Sequence, residues 1–189
     1  MKTNSRLLIY TLVLIAVTTA SKVIFSANAA WSGVSPVIAI ALFSGMLINR
    51  KQTSFMLPLL ALLASDVIVQ ALYTAGLFDF PGFYSYQLLN YALILAVTFI
   101  GWALKGKKYG SIILGGIIAP TLFFLLSNFA AWMIDTTNLY TNDFAGLVNC
   151  YVAGIPFYGK SLASTMVFLP AILLGYNYMI NRSAKLKLA

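Results

Sequence analysis

Histidine and glutamate are absent from this chain of 189 residues, cysteine occurs once, and the acids number four. Each shortage removes a class of chemistry. Without histidine there is no serine–histidine or cysteine–histidine catalytic pair, and no imidazole metal ligand. The lone thiol, Cys150, has no partner for an internal disulfide. The carboxylates are Asp66, Asp79, Asp135 and Asp143. Asp135 and Asp143 fall on an expected loop with no metal-binding motif. The letters of a G-x-x-x-x-G-K-S/T loop occur at Gly154–Ser161, but between apolar segments with no strand before them, and no G-x-G-x-x-G turn before a helix is present. A phosphate-binding loop needs a strand before it and a helix after it, so ATP-driven work through this stretch is not expected, and neither is a cofactor.

Charge is scarce as well. Only 8% of residues are charged and 61% are hydrophobic, against about 25% charged in a soluble domain. A water-facing surface cannot be built from that composition, so lipid must solvate the outside. The expectation is an all-α integral membrane protein, one domain over 1–189, forming a bundle of about six transmembrane helices. The net charge of +8 sits in short clusters between apolar runs. There it reads as a topology signal and a contact to anionic lipid, and not as a nucleic-acid stripe.

The apolar runs place spans at 7–25, 31–48, 53–75, 87–104, 110–134 and 161–180. The second is short and starts near Pro36. The basic start and the small-residue stretch Ala27-Asn28-Ala29 imitate a secretory signal, but five further apolar segments make the first run a span. With the N-terminus inside, Lys2, Arg6, Arg50, Lys51, Lys105, Lys107, Lys108, Arg182, Lys185 and Lys187 all fall inside. Only Lys22 and Lys160 fall outside, so the positive-inside rule predicts both termini in the cytoplasm. The stretch 144–158 is apolar, too short to cross, and carries Gly146, Gly154 and Pro156. It reads as an interfacial or re-entrant segment on the outer face. The aromatic loop 76–86 is a membrane-interface belt or a lid over a site.

Orientation gives the polar residues a depth. Asp66, Gln70 and Tyr73 share one face of the outer half of the third span. Gln87, Asn90 and Tyr91 open the fourth. Asn128 and Trp132 lie near the outer end of the fifth, and Lys160, Ser161, Ser164 and Thr165 open the sixth. The first span ends with Thr18, Thr19, Ser21 and Lys22. The inner halves carry far fewer polar groups. Buried polar groups in a membrane face the bundle interior or a wet cavity, so an outward-facing pocket is expected. Its candidate ligand-binding residues are Asp66, Gln70, Tyr73, Asn90, Asn128, Trp132 and Cys150. Asp66 would contact a ligand amine or hydroxyl, or hold a proton or ion. Alternatively it is a structural carboxylate capped by Lys22, Lys160 or a serine. Asn128 and Gln70 read equally well as interhelical glue, and Trp132 as an interface anchor. Cys150 is either an inert small residue or a thiolate for a soft metal centre in a ligand. The pairs Ala16-x-x-x-Ala20, Ala41-x-x-x-Gly45 and Gly115-x-x-x-Ala119 permit close helix approach.

Several blocks resemble a family of uncharacterised bacterial integral membrane proteins. They are Ser35-Pro36-Val37-Ile38-Ala39-Ile40-Ala41-Leu42-Phe43-Ser44-Gly45, Leu57-Pro58-Leu59-Leu60-Ala61 with Ser65-Asp66, and Ser127-Asn128-Phe129 with Trp132. Ala145-Gly146-Leu147 and Cys150-Tyr151-Val152-Ala153-Gly154-Ile155-Pro156-Phe157 complete the set. The plan is also similar to the substrate-binding S components of energy-coupling factor vitamin transporters. That resemblance implies uptake of a vitamin-like or cofactor-like solute across the bacterial cytoplasmic membrane. It also implies a transmembrane coupling subunit with ATPases as partner, met through Ala16 and Ala20. The expected function is thus a non-enzymatic binding and uptake subunit. The competing readings are a scaffolding subunit without ligand, a membrane enzyme acting on lipid-type substrate, and an ion-coupled carrier.

Overall fold

The computed structural model describes residues 2–26, 31, 33–48, 51–106, 110–135 and 138–181. Six helices follow one another: α1 (Lys2–Ser26), α2 (Val37–Leu47), α3 (Lys51–Thr74), α4 (Gln87–Ala103), α5 (Gly110–Met133) and α6 (Phe144–Asn181). No strand occurs among the described residues. Four helices (α1, α3, α5 and α6) are long and apolar enough to cross a membrane. Their outward faces confirm the composition argument. α1, for example, leaves Leu8, Ile9, Leu12, Val13 and Val17 exposed, a face that suits lipid and not water.

α1 packs on α3, α3 on α4, α4 on α5, α5 on α6, and α6 back on α1. These five helices close a ring. α2 sits inside it, against α3, α4, α5 and α6, with all 11 of its residues buried. A helix apolar on every side belongs in such a place. Its contact with α4 is backbone to backbone. A Cβ added at Gly45 would lie 2.1 Å from the Thr98 carbonyl oxygen, and one at Gly101 would lie 2.5 Å from that of Leu42. The Ala41-x-x-x-Gly45 and Gly115-x-x-x-Ala119 pairs are thus internal packing faces, whereas Ala16 and Ala20 stand exposed on α1. Beneath α2, Tyr10, Phe43 and Tyr176 meet edge to face, and the Tyr10 hydroxyl donates to the Ile172 carbonyl.

Two sequence expectations change. The second span shrinks to the 11 residues of α2, which rise only ~16 Å. Gly33, at φ +97°, and Pro36 keep the preceding residues out of the helix, because a residue before proline disfavours the helical region. α4, at 17 residues, is also below the roughly 20 needed for a full crossing. The stretch 144–158, read as a separate outer segment, is instead the first part of α6, which runs unbroken for 38 residues with Pro156 and Pro170 inside it. Prolines survive in such a helix because neighbouring helices take up the freed backbone groups. Asp143 starts α6: its Oδ1 accepts the Gly146 N–H at 2.8 Å and the Thr141 hydroxyl at 2.6 Å. Arg50, Lys107, Lys108, Arg182, Lys185 and Lys187, which carry most of the orientation argument, lie outside the described residues. So do Ala27, Asn28 and Ala29.

Candidate functional site

α2 is too short to fill the ring from end to end. The ring helices α3 and α5 have 24 residues each, a rise of ~36 Å, more than twice that of α2. Above the first turn of α2 the interior holds a cavity of about 390 Å³. Val37 and Ile38 line its α2 side, and α1, α3, α4, α5, α6 and the 76–86 loop all contribute to its wall.

The polar wall is built around one carboxylate. Asp66 on α3 is buried to 3% exposure. Its Oδ1 forms a salt bridge with the Lys22 ammonium at the end of α1. Its Oδ2 accepts the Gln87 amide and the Tyr91 hydroxyl, each at 2.5 Å, from α4. A buried charge is tolerable only when so paired and hydrogen-bonded. The same network ties down the loop. Gln87 also donates to the Gly82 carbonyl at 3.2 Å, while Gln70 Oε1 accepts the N–H groups of Gly82 and Phe83 at 3.0 and 3.2 Å. Gly82 lies so close to α3 that a Cβ there would fall 2.0 Å from the Asp66 carbonyl oxygen. From this anchored loop Tyr84 reaches the cavity, its hydroxyl accepting the Asn90 amide at 2.7 Å. Half of Tyr84 is exposed. The burial around its hydroxyl raises its pKa above the ordinary value, so it stays a neutral donor.

The opposite wall is aromatic and amide. Phe124 on α5 stacks on Tyr158 of α6 with centroids 4.9 Å apart, and the Tyr158 hydroxyl lies 2.9 Å from that of Thr121. Ser127, Asn128 and Ser161 add neutral hydrogen-bonding groups. Asn128 spends one donor on the Phe124 carbonyl at 2.8 Å.

Of the residues singled out from sequence, Asp66, Asn90 and Asn128 line the cavity; Gln70, Tyr73, Trp132 and Cys150 do not. Gln70 holds the loop from behind. Tyr73 is 42% exposed at the C-terminal end of α3. The Trp132 indole donates to the Thr141 carbonyl at 2.9 Å, bracing the turn before α6. Cys150 is buried, with its thiol directed to the Asn128 carbonyl at 3.3 Å; a thiolate open to a metal centre is not what the fold presents. Lys22, Tyr84, Tyr91, Ser127, Tyr158 and Ser161 line the cavity without having been chosen. Lys22 had a signal in the sequence, as the one base near the outward end of the first apolar run. Tyr91 had another, four residues after Gln87 on the same helix face. No group of three or more histidine, cysteine or acidic side chains able to hold a metal occurs among the described residues.

A ring of apolar helices around a short buried one, with a polar cavity at one end, defines a multi-pass membrane protein with an internal pocket. The chain belongs to DUF6580, a family of unknown function, whose family model matches residues 1–187. No curated protein and no solved structure matches it.

Proposed function

We propose that this protein is a membrane-embedded binding and uptake subunit for a small vitamin-like or cofactor-like solute. In this reading it sits in the bacterial cytoplasmic membrane with both termini inside, and the cavity opens to the extracellular side. The observation that carries the reading is the cavity itself. Its volume of about 390 Å³ lies in the range of small-molecule sites, which combine an apolar lining with a few placed polar groups. Five ring helices bring those groups to one depth. A merely structural polar network would leave no such space, since bundle interiors close-pack.

Asn90, Asn128 and the aromatic pair Phe124–Tyr158 would contact the solute. Asp66 and Lys22 would shape the wall and hold the loop carrying Tyr84. The similarity to S components supplies a direction of travel and a partner. Ala16 and Ala20, exposed on α1, would meet a transmembrane coupling subunit. A scaffold without ligand is the second reading. It is favoured by one fact: among the described residues, every buried side-chain nitrogen and oxygen already has a hydrogen-bond partner.

The two readings separate in one experiment. Protein extracted in mild detergent is examined for a co-purifying small molecule by mass spectrometry. The uptake reading expects one compound at near one per chain, with affinity for it reduced about tenfold by Asn128→Leu through loss of a hydrogen bond of ~1–1.5 kcal/mol. A protein that is empty, and whose melting temperature no vitamin or cofactor shifts, supports the scaffold instead.

A further inference from the structure

The cavity's charge balance restricts what it can hold. Resting on the binding reading above, we infer that the occupant is a neutral molecule: a flat ring system with amide or hydroxyl groups on its edge. Two lining residues carry formal charge, Lys22 and Asp66, and they are bonded to each other. Both Asp66 oxygens are engaged, one by Lys22 and the other by Gln87 and Tyr91. A ligand ammonium would therefore find no free carboxylate. A ligand carboxylate would have to take Lys22 from Asp66, leaving that acid buried without its cation, which is costly. Lys160 adds no free cation to the wall. It precedes Ser161, but its ammonium sits over the Phe157 ring, 5.4 Å from the centroid, and it is not a lining residue.

What remains available is neutral. Asn90, Ser127, Asn128 and Ser161 offer amide and hydroxyl groups, and a lysine ammonium has three donors, of which Asp66 takes one. These suit carbonyl, hydroxyl and amide edges. The body of the ligand meets aromatic faces. Phe124 and Tyr158 already stack on each other, and an occupant ring can extend that stack or meet Phe123 and Phe157 edge to face. The volume equals the liquid share of roughly a dozen waters, room for one or two rings.

The test uses matched triplets of one- and two-ring compounds, each made as amide, carboxylate and aminomethyl derivative. Nicotinamide, nicotinate and 3-(aminomethyl)pyridine form the first. Binding to the full chain in lipid nanodiscs is read by saturation-transfer NMR at neutral pH. The amides are expected to bind wild type about tenfold more tightly than either charged form. Lys22→Met, which strips Asp66 of its cation, should turn the preference toward aminomethyl compounds. Asp66→Asn, which frees Lys22, should turn it toward carboxylates. Wild type preferring a charged form would overturn the neutrality inference while leaving the binding site standing, and needs no variant to fold. If no member of any triplet binds wild type, the binding reading itself fails, and this inference with it.

Discussion

Around the C-terminal half of α2 the helices meet through glycine backbone and interlocked rings. Around its N-terminal turn they stand apart, joined by a salt bridge across a cavity of about 390 Å³. Lipid offers helices no hydrophobic reason to associate, so a dry interface depends on close packing of small residues. The Gly45–Gly101 crossing supplies that at one end. At the other end, the Asp66 network substitutes polar bonds for packing and leaves room for a guest. The difference assigns tight packing to one end of the ring and, under the proposed binding function, recognition to the other.

The largest effect is expected at the dry end. Gly45→Leu forces a side chain into the Thr98 carbonyl, where a single Cβ already lies 2.1 Å away. Backbone cannot yield as a flexible side chain can, so the cost exceeds the usual ~1–3 kcal/mol of overpacking. Size-exclusion chromatography in detergent should show aggregate in place of a monodisperse peak. A normal profile would remove the crossing from the account.

Next comes the polar end. Lys22→Met leaves the Asp66 carboxylate buried without its ion-pair partner, at ~3–5 kcal/mol. Lys22→Met/Asp66→Asn should recover most of that loss, because the unpaired charge is gone while Gln87 and Tyr91 keep a hydrogen-bonding partner. Melting curves of the two single variants and the double give the coupling directly. If the effects simply add, the pair is a surface contact and the comparison of the two ends weakens.

The smallest effect lies outside both. Asp143 is fully exposed, and its hydrogen bonds from Thr141 and the Gly146 backbone lower its pKa. A lowered folded pKa means the bond stabilises the start of α6 above the usual aspartate range. That contribution fades as pH falls through the lowered value. Asp143→Ala should therefore lower the melting temperature slightly at neutral pH, and the difference from wild type should vanish in acid. A difference that persisted in acid would show that the side chain acts otherwise.

Much of this was legible in the sequence, and the gaps have physical causes. Apolar runs and the absence of surface charge identify helices and lipid without reference to packing. Helical spacing puts Asp66 and Gln70 on one face, but it does not say which of them looks inward, and Gln70 turned out to hold the loop. Lys22 and Asp66 are 44 residues apart; the sequence offered Lys22, Lys160 or a serine as the cap of Asp66, and only α1 lying against α3, which no local pattern encodes, selects Lys22. Pro156 and Gly154 are helix breakers in water, so the sequence suggested a separate segment where α6 runs through. The short run and Pro36 hinted at a distorted second span, yet not that the span would shorten to α2 and so leave a cavity above it. The cavity is a consequence of mismatched helix lengths, and its residues become visible only once the ring is closed.

The central claim is that one end of the ring is a wet chamber facing outward and the other is dry. The single native cysteine makes the decisive measurement simple. In a Cys150→Ala background, Ser127→Cys places a thiol on the cavity wall and Leu173→Cys places one at a site with 0% exposure. A membrane-impermeant maleimide is added to intact cells. The account predicts labelling at position 127, none at position 173, and protection of position 127 by a bound ring amide. Labelling of position 127 only in inside-out vesicles, or equal silence at both positions, would contradict it.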